Sequence, residues 1–162
     1  MIDENGFRAN VGIIVANAEN KLLWARRCNN VNAWQFPQGG IQEAETPQQT
    51  MYRELREELG LGPEHVICLG ESQQWLTYLL PEQFRRYYSK PLCVGQKQKW
   101  FILRLIAKEY CINLRYSEAP EFSAWRWVDY WHPLEEVIDF KREVYQQVLE
   151  EFQSLLGVGQ AV

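Results

Sequence analysis

The chain has 162 residues, of which 46% are hydrophobic and 23% are charged, and its formal net charge at pH 7 is -4. This length is typical of one domain, and the composition excludes a disordered chain. No stretch approaches the ~18 consecutive apolar residues of a membrane helix, and the N-terminus is acidic and polar, unlike a secretory signal. We therefore expect a single soluble domain, residues 1–162, that resides in the cytoplasm.

Charge is distributed unevenly along the chain. Residues 83–108 contain seven basic residues and no Asp or Glu, whereas residues 43–64 contain six glutamates and two arginines. Such segments are either solvated surfaces or an acidic site beside a basic binding segment. The four cysteines form no Cys-x-x-Cys pair and the two histidines are far apart, so the pattern does not predict a zinc site. The net negative charge argues against a globally basic nucleic-acid binder.

The first part of the chain predicts strands. Apolar runs at 11–16 and 22–25 flank a turn-like Asn-Ala-Glu-Asn segment and predict a hairpin. Residues 34–40 predict a short strand that ends in a Pro/Gly turn.

The next segment predicts the clearest helix. Thr46, Pro47 and Gln49 match a capping box with proline at the first helical position. Because Gly60 and the following Gly-Pro pair are stop signals, we predict a helix over residues 47–59.

The remaining segments predict more strands and a terminal helix. The order β-β-β-α-β-β-β-α indicates one mixed α/β sandwich. The predicted strands are 66–75, 97–107, 112–114 and 124–128, followed by a helical turn at 133–137 and a helix at 141–156.

Three glutamates share one face of the first predicted helix. Glu54, Glu57 and Glu58 stand at i, i+3 and i+4. Like charges at this spacing destabilise an isolated helix by about 0.2–0.5 kcal/mol per pair, so a cationic partner is expected. Taken alone, the pattern is also typical of a solvated face paired with Arg53 and Arg56.

The residues around these glutamates match a longer motif. The sequence reads Gly39, five residues, Glu45, seven residues, then Arg-Glu-Leu-Arg-Glu-Glu-Leu-Gly-Leu at 53–61. It resembles, without departure, the Nudix box Gly-x5-Glu-x7-Arg-Glu-U-x-Glu-Glu-x-Gly-U, in which U is a bulky aliphatic residue. The chain is thereby identified as similar to Nudix hydrolases, with the box at 39–61. The resemblance implies an α/β fold, an α/β/α sandwich around a mixed β-sheet, and hydrolysis of a nucleoside diphosphate linked to another group.

The resemblance also implies a metal site. It makes Glu57 and Glu58 metal ligands, and makes Glu54 either a ligand or the group that orients or deprotonates the attacking water. The expected metal is Mg²⁺, with Mn²⁺ or another divalent ion as alternatives, because these hard cations take carboxylate oxygens and share substrate phosphates.

Other box residues are implied to support this site. Gly39 lets the backbone approach the metal, and Glu45 and Arg53 pair to brace the loop against the helix.

Outside the box, the chain is similar to the bacterial RNA pyrophosphohydrolases, a Nudix group close to the diadenosine tetraphosphate hydrolases. These enzymes convert a 5′-triphosphate RNA end to a 5′-monophosphate, which exposes the transcript to 5′-end-dependent decay. The matching segments are 8–12, 34–40, 95–101, 120–122 and 140–142.

This likeness implies further site residues. Glu121 completes the metal shell, and Ala33 departs from relatives that carry a serine able to hydrogen-bond the base. Basic side chains suit phosphates, and an apolar cleft suits an unpaired base. We expect the unpaired RNA end to contact Arg8, Arg27, Tyr78, Lys97, Lys99, Ile138, Phe140 and Lys141, although the charges of Arg8 and the two lysines also fit a solvated surface.

Three functional hypotheses remain. The first is metal-dependent removal of pyrophosphate from the 5′-triphosphate end of RNA. The second is cleavage of dinucleoside polyphosphates such as diadenosine tetraphosphate. The third is a non-catalytic nucleotide- or RNA-binding module. The sequence indicates no specific protein partner.

Overall fold

The computed structural model of the chain describes residues 1–87 and 91–159. Within these residues, eight strands and three helices follow one another in a mixed order. They are β1 (Phe7–Ala16), β2 (Leu22–Arg27), β3 (Trp34–Gln35), β4 (Gln38–Gly40), α1 (Pro47–Leu59), β5 (Val66–Glu71), β6 (Leu76–Leu79), β7 (Gly95–Leu105), β8 (Phe122–Val128), α2 (Pro133–Glu136) and α3 (Arg142–Leu156).

The strands form one mixed sheet in the order β3-β2-β1-β7-β5, with β4 on β1, β6 on β7 and β8 on β2. The central pair β1 and β7 is parallel, from Phe7 opposite Gly95 to Ala16 opposite Arg104. The other pairs are antiparallel. No helix in the described ranges has the length and apolar character needed to cross a membrane.

Strand β1 is buried on both faces, because helices cover both sides of the sheet. Val11, Ile13 and Val15 pack in the core beneath α1, whereas Ile14 and Ala16 pack in the core beneath α3. This alternation is the period of a strand. The expected α/β/α sandwich around a mixed sheet is confirmed.

Helix α1 has the predicted bounds, Pro47–Leu59. Thr46 Oγ1 accepts a hydrogen bond from the Gln49 N–H at 3.1 Å, and the Gln49 side chain accepts one from the Thr46 N–H at 2.9 Å. Gly60 ends the helix with a left-handed φ of 69°. The helix is therefore fixed at both ends, and with it the register of its glutamates.

The predicted hairpin is only partly formed. Strands β1 and β2 pair at Ala16 and Leu22, next to the turn. Farther along, β4 takes the same edge of β1, from Asn10 opposite Gly40 to Gly12 opposite Gln38. This change of partner places Gly39 and Gly40 of the box in the middle of the sheet.

Three strand predictions are wrong. Residues 34–40 are two short strands, because Gln38–Gly40, predicted as part of a turn, pair with β1 as β4. The predicted strand 66–75 is two strands, β5 and β6, because Ser72 turns the chain by bonding its backbone N–H and its hydroxyl to the Trp100 backbone. Residues 112–114 are not a strand. The Asn113 N–H instead donates to the Leu59 carbonyl at 2.7 Å, which satisfies the C-terminal end of α1.

The C-terminal predictions agree closely with the structure. The predicted helical turn 133–137 corresponds to α2, and the predicted helix 141–156 corresponds to α3. A 3₁₀ turn, Asp139–Lys141, leads into α3 and carries the predicted cleft residues Phe140 and Lys141.

Candidate active site

One arginine holds the acidic face of α1 and the preceding loop together. Arg53 donates to Glu45 Oε2 at 2.7 Å and Oε1 at 3.0 Å, and to the Gly40 carbonyl at 2.9 Å. It also donates to Glu54 Oε1 at 2.8 Å and Glu57 Oε2 at 3.3 Å. Its hydrogen bonds lower the pKa of Glu45 to about 2. Arg53 therefore compensates the like charges that destabilise this helix face.

Two of the three helix glutamates face the protein interior. Glu54 is 9% exposed and Glu58 is 8% exposed, whereas half of the Glu57 side chain is accessible. Burial raises the pKa of Glu54 against the opposing effect of Arg53. Burial, together with the nearby charges of Glu54 and Glu121, raises the pKa of Glu58 well above its usual value. Keeping both Glu54 and Glu58 ionised therefore costs free energy unless a cation lies nearby.

Glu121 connects the helix glutamates to the rest of the site. It directly precedes β8, and its backbone carbonyl accepts a hydrogen bond from the Cys28 N–H at 2.9 Å. Its Oε1 is 3.8 Å from Arg27 Nη2. Its charge contributes to the raised pKa of Glu58, so Glu121 belongs to the same electrostatic environment as the helix glutamates.

The donor set fits a hard divalent cation. Glu58 Oε2 is buried and has no hydrogen-bond partner in the described residues, which is rare for a buried polar atom. A side chain at Gly39 would overlap the Glu54 carboxyl group, so the backbone at this position lies directly against the carboxylate. Carboxylate and carbonyl oxygens are the ligands preferred by Mg²⁺ and Mn²⁺.

Arg53 also sets the orientation of two of these carboxylates. No group of three or more His, Cys, Asp or Glu side chains within residues 1–87 and 91–159 is arranged to hold a metal as it stands. The geometry of Arg53 explains this, because its guanidinium draws the carboxylates of Glu54 and Glu57 toward itself.

A cavity of about 690 Å³ lies beside this acidic face, within the range of small-ligand sites. Its walls come from the loop after β2, from β6 and the segment after it, and from the segment between α2 and α3. Five of the predicted RNA-contacting residues line it: Arg27, Tyr78, Ile138, Phe140 and Lys141. Ala33, which stands where relatives carry a serine, lines the cavity as well.

Lys141 is a buried cation in this cavity. Its Nζ donates to the amide oxygens of Gln35 and Gln38, both at 3.2 Å, and lies 5.8 Å from the centre of the Tyr78 ring. Burial, aided by the charge of Arg27, lowers the pKa of Lys141 to about 8. Its ammonium is therefore poorly compensated inside the protein and suited to an anionic ligand.

Two further polar atoms of the cavity lack partners among the described residues. Arg27 Nε is a donor and Gln96 Oε1 is an acceptor, and both are buried. Such atoms are normally satisfied, so a polar ligand is the simplest partner for them. Sequence reasoning missed Gln96, as well as Gln35 and Gln38. The available signal was the unusual number of glutamines in predicted strands.

The structure separates Arg8, Lys97 and Lys99 from this cavity. Side chains alternate along β7, so Gln96 lines the cavity while the two lysines point to the opposite face. Lys97 pairs with Asp3 at 2.9 Å, and Lys99 donates to the Ser72 and Gln73 carbonyls at 3.0 and 3.2 Å. Arg8 is exposed beside the loop after β4.

Similarity to known proteins identifies the family. A family model described as the NUDIX domain matches residues 6–152. The chain therefore belongs to the Nudix family.

The chain is similar to one RNA pyrophosphohydrolase in sequence and to two solved structures in fold. An RNA pyrophosphohydrolase of Haemophilus influenzae (strain PittEE) is 52% identical over 156 residues, which cover 96% of this chain and 79% of that protein. The E. coli dihydroneopterin triphosphate pyrophosphohydrolase matches with a TM-score of 0.68 and 18% identity, covering 90% of this chain and 98% of that chain. A C. elegans Ap4A hydrolase matches with a TM-score of 0.65 and 16% identity, and the match covers 93% of this chain and 98% of that chain. At these identities, the two structural matches concern the fold alone.

Proposed function

We propose that this protein removes pyrophosphate from the 5′-triphosphate end of RNA. Water and the triphosphorylated RNA yield pyrophosphate and a 5′-monophosphate RNA, which is open to 5′-end-dependent decay. The observation that carries this proposal is the 3.8 Å ion pair between Glu121, beside the acidic site, and Arg27, which lines the cavity. The close relatives named for this reaction support it. Transcripts lie in the cytoplasm, and we propose that compartment for the protein.

The proposed roles follow from the chemistry of each side chain. Glu57, Glu58 and Glu121, with the backbone at Gly39, would hold one or more divalent ions. Glu54 is either a further ligand or the group that orients or deprotonates water. A bound Mg²⁺ or Mn²⁺ would offset phosphate charge and lower the pKa of a coordinated water.

The cavity residues would hold the RNA end. Lys141 and the guanidinium of Arg27 offset phosphate charge. Phe140 and Ile138 offer apolar contact to one unpaired base, and Tyr78 supports Phe140 with ring centres 5.6 Å apart. Arg8, on β1 and beside the loop after β4, would contact the distal phosphates. Lys97 and Lys99 are engaged in ion pairs and backbone hydrogen bonds. They would bind substrate phosphates only after breaking these contacts.

The same machinery fits dinucleoside polyphosphates, since the cavity could take an adenosine. We expect kcat/KM in Mg²⁺ to be larger for a triphosphate RNA with at least two unpaired 5′ nucleotides than for diadenosine tetraphosphate. A preference for the dinucleotide would reassign the cavity to adenosine. RNA binding without release of pyrophosphate over hours would instead favour a non-catalytic binding module.

Phe140→Ala should weaken RNA binding about tenfold or more, because one base–aromatic stack is lost. The measurement is the dissociation constant of a labelled 5′-monophosphate RNA. Mn²⁺ binding should be unchanged, since Phe140 lines the cavity and the proposed metal ligands do not. A matched control is Tyr110→Ala, which removes an aromatic ring that is 83% exposed elsewhere. Equal RNA affinity in the Phe140 variant and wild type would contradict the assignment of the cleft.

A further inference from the structure

The segment after β6 forms a wall of the cavity that the sequence motifs do not assign. Phe84 and Arg86 line the cavity from this segment. The ring of Phe84 is 52% exposed and its centre lies 5.9 Å from the centre of the Phe140 ring, with the planes tilted by 45°. Since Phe140 also contacts Tyr78, the three rings form a row that leads from the protein interior to the cavity rim.

Local hydrogen bonds fix this wall before any ligand arrives. The Phe84 N–H donates to the Pro81 carbonyl at 2.9 Å and closes a 3₁₀ turn. Arg85 Nε donates to the Leu80 carbonyl at 2.9 Å, and the Leu80 N–H is bonded to Val94 across the sheet. A platform that is already ordered binds a ligand at a smaller entropic cost.

The charge of the wall suits a polyanion. Among the basic residues of segment 83–108 that the structure describes, Arg86 is the one that lines the cavity. Four of the other basic side chains form hydrogen bonds to backbone carbonyls or an ion pair with an acidic side chain: Arg85, Lys97, Lys99 and Arg104.

On the basis of the proposed function, we propose that Phe84 and Arg86 form a subsite for the nucleotide that follows the one bound at Phe140. The base stacks on the exposed face of the Phe84 ring, and Arg86 contacts the linking phosphate. An exposed aromatic ring next to an arginine is the arrangement by which single-stranded nucleic acids are bound without strict sequence preference. The subsite would favour transcripts with a longer unpaired 5′ end.

Dissociation constants of 5′-monophosphate RNAs of one to four nucleotides test this subsite. Wild-type protein should gain about tenfold in affinity at the added nucleotide that reaches Phe84. Phe84→Ala should lose this gain and bind the shorter RNAs as wild type does, whereas Phe84→Trp, which keeps a flat ring, should retain it. Arg86→Gln should reduce the salt dependence of binding for the longer RNAs. Tyr110→Ala and Lys108→Gln, both exposed elsewhere, are the matched controls.

Two results would overturn the subsite. One is an equal loss of affinity for all RNA lengths in Phe84→Ala, because Phe84 would then only support the packing of Phe140. The other is an unchanged gain in that variant. Hydrolysis is measured separately with triphosphate RNA. If wild type fails to hydrolyse it but keeps the Phe84-dependent gain, the proposed reaction fails and the subsite stands.

Discussion

Replacement of Glu58 by glutamine is expected to lower kcat for a 5′-triphosphate RNA in Mg²⁺ by about two to three orders of magnitude. The amide keeps the shape of the side chain but lacks the charge that would bind a divalent cation. Glu57→Gln should reduce kcat strongly as well, because the two residues are proposed to bind the same metal site. Turnover and Mn²⁺ affinity should fall together in both variants.

The stability of Glu58→Gln separates loss of metal binding from misfolding. The pKa of Glu58 is raised in the folded protein by burial and by the neighbouring carboxylates. Folded metal-free protein therefore binds more protons than unfolded protein above the ordinary pKa of glutamate, and its stability should fall as the pH rises through the raised value. The variant lacks this group, so its Tm at pH 7 without metal should equal or exceed that of wild type.

Glu43→Gln is the matched control, since it removes an exposed carboxylate from the same acidic segment. Normal turnover in Glu58→Gln would contradict the metal assignment. A large fall in Tm in that variant would show instead that the ionised carboxylate stabilises the fold.

Gly39→Ala is expected to lower kcat/KM about a hundredfold. The new Cβ would overlap the carboxyl carbon of Glu54, so this carboxylate must move away from its position. A misplacement of about 1 Å at a reacting centre costs ~10²-fold in rate, and overpacking costs about 1–3 kcal/mol of stability. Steady-state kinetics and thermal unfolding measure the two effects.

The neighbouring glycine provides the control for this prediction. A Cβ at Gly40 would meet no atom within 4 Å. Neither glycine has the positive φ that disfavours alanine, so the two substitutions differ mainly in the space around the new methyl group. Gly40→Ala should therefore retain wild-type kinetics. Equal activity of the two variants would show that contact between the backbone at Gly39 and Glu54 is unimportant for turnover.

Local signals predicted some elements closely. The bounds of α1 follow from side-chain capping at Thr46 and from the left-handed Gly60, which act within a few residues of the chain. Strand β6 was missed because the turn before it depends on Ser72, whose partner Trp100 is distant in sequence. Residues 112–114 resemble a strand in composition, but their backbone is used to cap α1. Such pairings between distant segments are not visible in a local pattern.

Some features of the candidate site likewise follow from local sequence, and others depend on contacts between distant segments. Helical spacing alone places Glu54, Glu57 and Glu58 on one face. The strand period likewise separates the lysines of β7 from Gln96 and Gln98, but it does not say which face lines the cavity. That depends on where α3 and the loop after β2 pack, and these segments lie far from β7 in the sequence.

The contacts of Arg53 determine when the acidic site becomes ordered. This guanidinium connects the Gly40 carbonyl, Glu45 and the glutamates of α1 in the folded chain. The loop between β4 and α1 therefore loses its conformational entropy once, during folding, and not each time a substrate binds. Binding energy gained from the phosphates can then serve to orient the substrate, and the site needs no mobile segment of the box to close over it.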